Sequence, residues 1–277
     1  MRTGSEQLDG KYRHLQDLLK QMKRVLVAYS GGVDSTLLLK VAKDTLGDDV
    51  LAVTAESDTS ARHERDDAAR MAEALEAEHI IVATDEMDLT DFVENTPDRC
   101  YVCKRKRFGD LTELAREEGF LFVIDGENAD DIADYRPGSR ASRELGVRSP
   151  LREANFSKDE VRRLSKGLRL PTWDRPAYAC LASRIPYGQP ITTEKLRQID
   201  GAEEFVRDLI DAPMVRVRHH GDIARIELSP ESVPKLLDRK ARLNIVEKLK
   251  QLGFSYVTLD LEGYVMGSLN RDINTEG

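Results

Sequence analysis

The stretch VLVAYSGGVDSTLLLKVAKD, Val25 to Asp44, decides the fold. Val25–Tyr29 is a run of five apolar or aromatic residues, the length of a buried strand. Leucines at helical spacing follow from about Ser35 to Leu46. Between them, Ser30-Gly31-Gly32-Val33-Asp34-Ser35 must turn the backbone sharply from strand to helix. Gly31 and Gly32 permit φ > 0 and let amide N–H groups approach an anion closely. The helix that follows aims its N-terminus at that anion, and Ser30 and Ser35 add hydroxyls. The loop lacks the lysine of the GxxxxGK[ST] phosphate loop and is shorter. Asp34 would repel a phosphate unless a divalent cation or a cationic side chain intervenes, which points to Mg2+ or a nearby arginine.

Outward from this loop the pattern repeats. Residues 5–23 read as a leading helix and 24–29 as the first strand. Strands are expected at 49–57, 78–86 and 120–128, with helices at 60–77 and 104–119. Alternation of this kind predicts an α/β fold with a doubly wound parallel sheet, whose ligands bind beyond the strand ends. Residues 129–191 are irregular, with prolines at 137, 150, 171, 176, 186 and 190 and one clear helix at 157–167. Irregular chain beside a sheet usually lines a site. From Thr192 the pattern becomes helix (192–210), strand (214–219), strand (222–228), helix (230–252), strand (254–260), a second, smaller α+β domain. The expected domains are 1–188 and 189–277.

Composition narrows the classes. Forty-two basic and fifty acidic residues give a net charge of −8, against a nucleic-acid partner. No apolar run reaches the length of a membrane span, and the N-terminus shows no secretory pattern, so the cytoplasm is expected. Three cysteines give no disulfide framework.

The SGGVDS loop resembles the PP-loop of the N-type ATP pyrophosphatases, which cleave ATP between the α- and β-phosphates and adenylate an oxygen of their substrate. The resemblance implies that Ser30, Gly31, Gly32, Asp34 and Ser35 cradle the leaving pyrophosphate. It also implies adenine and ribose contacts at Ser57 and Gly126, although Ser57 reads equally well as a helix cap.

Cys100 and Cys103 form CYVCK ahead of a basic helix, and Cys180 lies in AYACLASR. A redox dithiol, a zinc site and an iron–sulfur cluster are the competing functional readings, beside plain packing. A second CxxC pair for structural zinc is absent, and the pair does not follow the first strand of a compact βαβ unit. Three thiolates on a cluster would leave one iron open for an exogenous ligand such as sulfide.

Four stretches sharpen the picture: GENADDIADYRPG (126–138), SPL (149–151), WDRPAYACLASRIPYG (173–188) and RVRHHGDIARIE (216–227). With the PP-loop they resemble the LarE family of sulfur transferases over nearly the whole chain. That family uses ATP to convert the carboxylates of pyridinium-3,5-biscarboxylic acid mononucleotide to thiocarboxylates, in nickel-pincer nucleotide biosynthesis. In one branch the cysteine matching Cys180 is consumed to dehydroalanine; in the other it joins a CxxC pair to hold a [4Fe-4S] cluster whose open iron carries sulfide. The cysteines here resemble the cluster branch, with Cys100, Cys103 and Cys180 as ligands and an external sulfide source. The resemblance further implies a homo-oligomer, a trimer of dimers, and phosphate binding by Arg216 and Arg218. Those two arginines flank Val217 on one face of an expected strand.

Arg184 is expected to neutralise charge near the cluster or the carboxylate. Arg136 and Arg140 read either that way or as partners of Asp130, Asp131 and Asp134. Asp130 and Asp131 suit Mg2+ or a helix N-terminus equally, with Asp131 the expected Mg2+ ligand. His219 and His220 point to opposite faces and read as structural; Lys104–Arg107 reads as a solvated helix start or as a patch that steers an anionic substrate to the CxxC pair. A tRNA thiolase and an ammonia-using synthetase on the same ATPase scaffold are the alternative functions.

Overall fold

The computed structural model describes residues 4–132, 137–176 and 179–265, and the chain divides into two compact units. The first draws on residues 1–57, 63–86 and 100–178; the second on 58–62, 87–99 and 179–277.

In the first unit, helix α1 (Gly4–Met22) leads into strand β1 (Val25–Ala28) and helix α2 (Val33–Leu46). Strand β2 (Val50–Glu56), helix α3 (Arg62–Ala74) and strand β3 (Glu78–Ala83) follow. A short helix α4 (Thr90–Val93) belongs to the second unit. Helix α5 (Arg99–Glu117) and strand β4 (Phe122–Ile124) complete the sheet, and helices α6 (Pro137–Glu144), α7 (Pro150–Glu153) and α8 (Lys158–Gly167) end the unit. The sheet is parallel throughout, in the order β3-β2-β1-β4. Alternate side chains of the strands enter two cores. Val25, Val27, Val50 and Ala52 pack with Leu15 and Leu19 of α1, Leu37 and Leu38 of α2 and Val161 of α8. Leu26, Leu51, Val53 and Val123 pack with Phe108, Leu111 and Ala115 of α5. Helices on both faces explain why β1 is apolar at every position. Strand order reverses between β1 and β4, and ligands of open α/β sheets bind at that reversal.

The second unit is built around helix α9 (Thr193–Ile210) and a three-stranded sheet of β5 (Val215–His220), β6 (Ile223–Leu228) and β7 (Tyr256–Leu259). β5 and β6 are antiparallel; β6 and β7 are parallel. Helices α10 (Val233–Leu237) and α11 (Arg239–Gln251) stand where one helix, 230–252, is expected. The break falls at Asp238, whose extended backbone lets its carboxylate accept from the Lys240 and Ala241 N–H groups and restart the helix. Segment 87–99 is pinned inside this unit. Asn95 donates from Nδ2 to the Pro186 and Gln189 carbonyls at 2.7 and 2.8 Å, and its own carbonyl accepts from Gly188 N–H. Among the described residues no helix is long and apolar enough to cross a membrane.

Candidate active site

The first unit carries the glycine loop at the end of β1. Ser30 Oγ and Ser35 Oγ lie 3.0 Å apart, and Ser35 Oγ donates to the Gly32 carbonyl at 3.3 Å, so the two hydroxyls lace the loop closed. Gly31 has φ +71°, and a Cβ there would lie 2.9 Å from Ala68 of α3. Both the conformation and the space demand glycine. Gly32 sits at the N-cap of α2 without a side-chain cap. The first N–H groups of α2 therefore depend on something other than the helix itself.

Gly126, one residue beyond β4's following residue Asp125, is fitted against that same turn. A Cβ on it would lie 2.9 Å from Ser35 N and 3.1 Å from the Asp34 carbonyl carbon. The structure thus brings Ser30, Gly31, Gly32, Asp34, Ser35 and Gly126 together at the β1/β4 switch point. Asp34 has a cationic partner that sequence reasoning did not name: Lys158, first residue of α8, forms an ion pair with Oδ2. Asn128 Nδ2 donates to Oδ1 at 3.2 Å. The charge on Asp34 announced the need for a cation, but nothing in the sequence spacing pointed to a residue so far along the chain.

Acids beyond Gly126 are engaged locally. Asp131 Oδ2 accepts from the Asn128 N–H at 2.9 Å, and Asp130 Oδ2 accepts from the Lys158 N–H at 2.8 Å. Glu127 receives Lys104 and Ser139 on one oxygen, at 2.9 and 2.8 Å, and Arg152 on the other at 3.0 Å. Burial pushes the Glu127 carboxyl up, but Lys104 and its other donors hold it below the usual range. Asp125, buried and beside the Glu127 charge, is instead pushed up to about 6.

Ser57 lies just past β2, five residues before α3, and does not cap that helix. Its hydroxyl donates to Glu86 Oε1 at 2.5 Å and accepts from Arg107 at 3.0 Å. Glu86 is fully buried; burial alone would raise its carboxyl, but Arg107, Ser57 and Thr84 hold it low. Cys103 Sγ is 4.0 Å from the same Glu86 oxygen. The two cysteines of the CxxC pair lie within the first turns of α5, not in a loop ahead of it. They are three residues apart, hence on one helix face. The basic run is likewise not simply solvated: Lys104, Lys106 and Arg107 pair with Glu127, Asp85 and Glu86.

Cys180 belongs to the second unit, at the N-cap of the 3-10 turn Leu181–Arg184, and its side chain makes no capping bond. Arg184 is 1% exposed. Its Nε and Nη2 grip Glu203 of α9 at 2.8 and 3.0 Å, while Nη1 donates to the Ala179 and Cys180 carbonyls at 2.6 and 3.0 Å. Arg216 and Arg218 do share a face of β5, and both are buried. Arg218 grips Glu227 through two bonds and donates to the Ser183 carbonyl at 2.9 Å. Arg216 donates to the Val215 carbonyl at 3.0 Å and lies 3.8 Å from Glu203. His219 is buried against Phe254 and Gln198, in keeping with a structural role. Arg140 stacks on Tyr101 and faces Glu144; Arg136 and Asp134 lie outside the described residues. Among the described residues no three His, Cys, Asp or Glu side chains gather as a metal site. The thiol pair on α5 offers two soft ligands suited to iron, and the third cysteine is in the other unit.

A family model described as asparagine synthase matches residues 15–205. The chain is 46% identical over 264 residues to an uncharacterised protein of Synechocystis sp., covering 95% of this chain and 98% of that one. It is 43% identical over 253 residues to the pyridinium-3,5-bisthiocarboxylic acid mononucleotide synthase of Lactiplantibacillus plantarum, covering 91% of each. The glutamine-hydrolysing GMP synthase of Aeropyrum pernix is more distant, at 28% over 207 residues, 68% of this chain and 40% of that one.

Proposed function

This chain belongs to the LarE family of PP-loop enzymes and is an ATP-dependent sulfurtransferase; from that premise we propose that it thiolates the two carboxylates of a pyridinium dicarboxylate mononucleotide. One observation carries the ATP half of this reading. The Gly31 and Gly126 backbones close to within a methyl group's reach of neighbouring atoms around the open N-terminus of α2, leaving amides and hydroxyls as its lining. That is a cradle for an anion with no room for further side chains.

The reaction follows from the chemistry of the carboxylate. Carboxylate oxygen is a very poor leaving group. Attack by that oxygen on the α-phosphorus of ATP forms an acyl-adenylate and breaks the α–β anhydride. Pyrophosphate leaves into the Ser30–Ser35 loop, with Lys158 beside it to offset Asp34. A sulfur nucleophile then attacks the acyl carbon, and AMP departs with the original oxygen. Asp131 and Asp34 are the carboxylates offered to Mg2+, which would share the phosphate charge. Arg216 and Arg218 would hold the substrate's phosphate, with Glu227 fixing the Arg218 guanidinium plane and Glu203 lying 3.8 Å from Arg216.

For the sulfur, Cys100, Cys103 and Cys180 would hold a [4Fe-4S] cluster, which when bound supplies a replaceable sulfide. The CxxC pair on one face of α5 favours this over consumption of Cys180. On the same reading the enzyme works in the cytoplasm as a homo-oligomer.

The test is turnover of anaerobically purified protein with ATP, sulfide and the dicarboxylate mononucleotide, run beside the same mixture without sulfide. Pyrophosphate, AMP and thiocarboxylate are expected together, with iron retained and the polypeptide mass unchanged. Loss of one equivalent of hydrogen sulfide from the chain would assign the sulfur to Cys180 alone. Ammonia incorporation by a Cys100→Ala/Cys103→Ala/Cys180→Ala variant would overturn sulfur transfer in favour of an amide-forming synthetase.

A further inference from the structure

We propose that Glu203 is a positioning residue for the sulfur step, acting through Arg184 on the backbone that carries Cys180. This rests on the reading of Cys180 as a sulfur-handling residue. All the contacts lie within the second unit.

Glu203 is 1% exposed on the inner face of α9. Burial drives its carboxyl up, yet Arg184, Arg216 and the Val217 N–H keep it ionised, well below the usual range. Oε1 accepts from Arg184 Nε at 2.8 Å and from Val217 N at 2.9 Å; Oε2 accepts from Arg184 Nη2 at 3.0 Å and lies 3.8 Å from Arg216. Val217 stands between Arg216 and Arg218 on β5. One carboxylate therefore joins the middle of that strand to the base of Arg184.

Arg184 divides its planar fork. One edge is committed to Glu203; Nη1 holds the carbonyls of Ala179 and Cys180 and, at 2.9 Å, Ser183 Oγ. The neighbouring backbone is fixed as well. Leu181 N–H donates to the Thr59 carbonyl at 2.8 Å, Ser183 N–H to the Cys180 carbonyl at 2.9 Å, and the Ser183 carbonyl accepts from Arg218. Backbone groups of residues 179 to 183 are thus anchored on both sides of Cys180, while its own side chain makes no capping bond in the turn.

A buried ion pair is a poor source of stability, because desolvation offsets much of the attraction; apolar residues of similar volume do as well. What the arrangement provides is geometry. Arginine's rigid fork sets an orientation that a flexible ammonium cannot. Glu203 keeps that fork in register, so the Cys180 sulfur and the Arg216–Arg218 strand move as one body.

The experiment measures two things on Glu203→Gln. The first is iodoacetamide alkylation of Cys180 in a Cys100→Ala/Cys103→Ala background. The second is sulfur transfer and pyrophosphate release in the otherwise native chain. Cys180 alkylation is expected to quicken several-fold as its backbone loosens. Sulfur transfer should fall by about a hundredfold, the scale of an ångström's misplacement, and by clearly more than pyrophosphate release falls at saturating substrate. Leu249→Ala, a buried residue of the same core, is the stability control and should leave the alkylation rate alone. If Glu203→Gln does not fold, Arg184→Lys replaces it: the ammonium can meet Glu203 but not both carbonyls at once. An unchanged alkylation rate, or faster alkylation with undiminished transfer, overturns the proposal. Absence of any sulfur transfer by the native chain overturns the functional reading instead, and the alkylation rates still decide whether Glu203 clamps the loop.

Discussion

Replacing Gly126 by alanine tests how tightly the end of β4 is fitted to the glycine loop and the first turn of α2. The added Cβ would lie 2.9 Å from Ser35 N, 3.1 Å from Asp34 C and 3.2 Å from Asp34 Cβ. Ordinary contact begins near 3.4 Å, so the shortfall is half an ångström at a backbone atom that cannot rotate away. Either β4's end or the first turn of α2 must shift. Overpacking of this kind costs about 1–3 kcal/mol, which at this chain length lowers Tm by about 2–12 °C. The shift falls on the Ser35 N–H, one of the donors proposed to meet phosphate. A hydrogen bond to a charged group is worth about 1.5–3 kcal/mol, so the KM for ATP should rise roughly tenfold to a hundredfold. The assay is pyrophosphate release against ATP concentration, beside thermal melting. Gly47→Ala is the control: its φ of +63° strains alanine, but no atom lies within 4 Å. It should lose about 1–2 kcal/mol of stability and keep its KM. A Gly126→Ala protein that melts at the native temperature would refute the fitted contact between β4 and the loop, and one that melts early yet keeps the native KM would remove the Ser35 N–H from the ATP site.

Lys158→Met should raise the KM for ATP about tenfold while costing under about 1 kcal/mol of stability, because the Lys158–Asp34 pair is partly exposed; an unchanged ATP titration would remove Lys158 from the site. Arg218→Ala breaks two bonds to buried Glu227 and should lower unfolding free energy in urea by about 3 kcal/mol. Asp125 titrates near 6 instead of 3.8, so the folded chain binds its proton more tightly than the unfolded chain does. Stability contributed by this group is therefore lost as pH rises from about 4 to about 6, on the order of 3 kcal/mol by the full shift. Asp125→Asn should then raise Tm at pH 7.5 and change it little at pH 4; a gain equal at both pH values would rule out the buried charge as its cause.

How much was legible in the residues follows from the range of the forces involved. Strand, glycine loop and helix at Val25–Leu46 are local: five apolar residues, two glycines and a helical leucine stripe leave few conformations open. The parallel doubly wound sheet follows, because strands apolar at every position must be covered on both faces. The positions of Arg216 and Arg218 on one face also needed only the period of two. Other features required the chain to meet itself at long range. Segments 58–62 and 87–99 join the second unit across sequence gaps that no periodicity encodes. Lys158 reaches Asp34, and Arg107 reaches Glu86 and Ser57, because packed helices choose the neighbours of a charge. Composition showed that arginines and carboxylates were plentiful. Only burial decided which of them had to pair, since a charge removed from water needs a partner at hydrogen-bond distance wherever the fold delivers one.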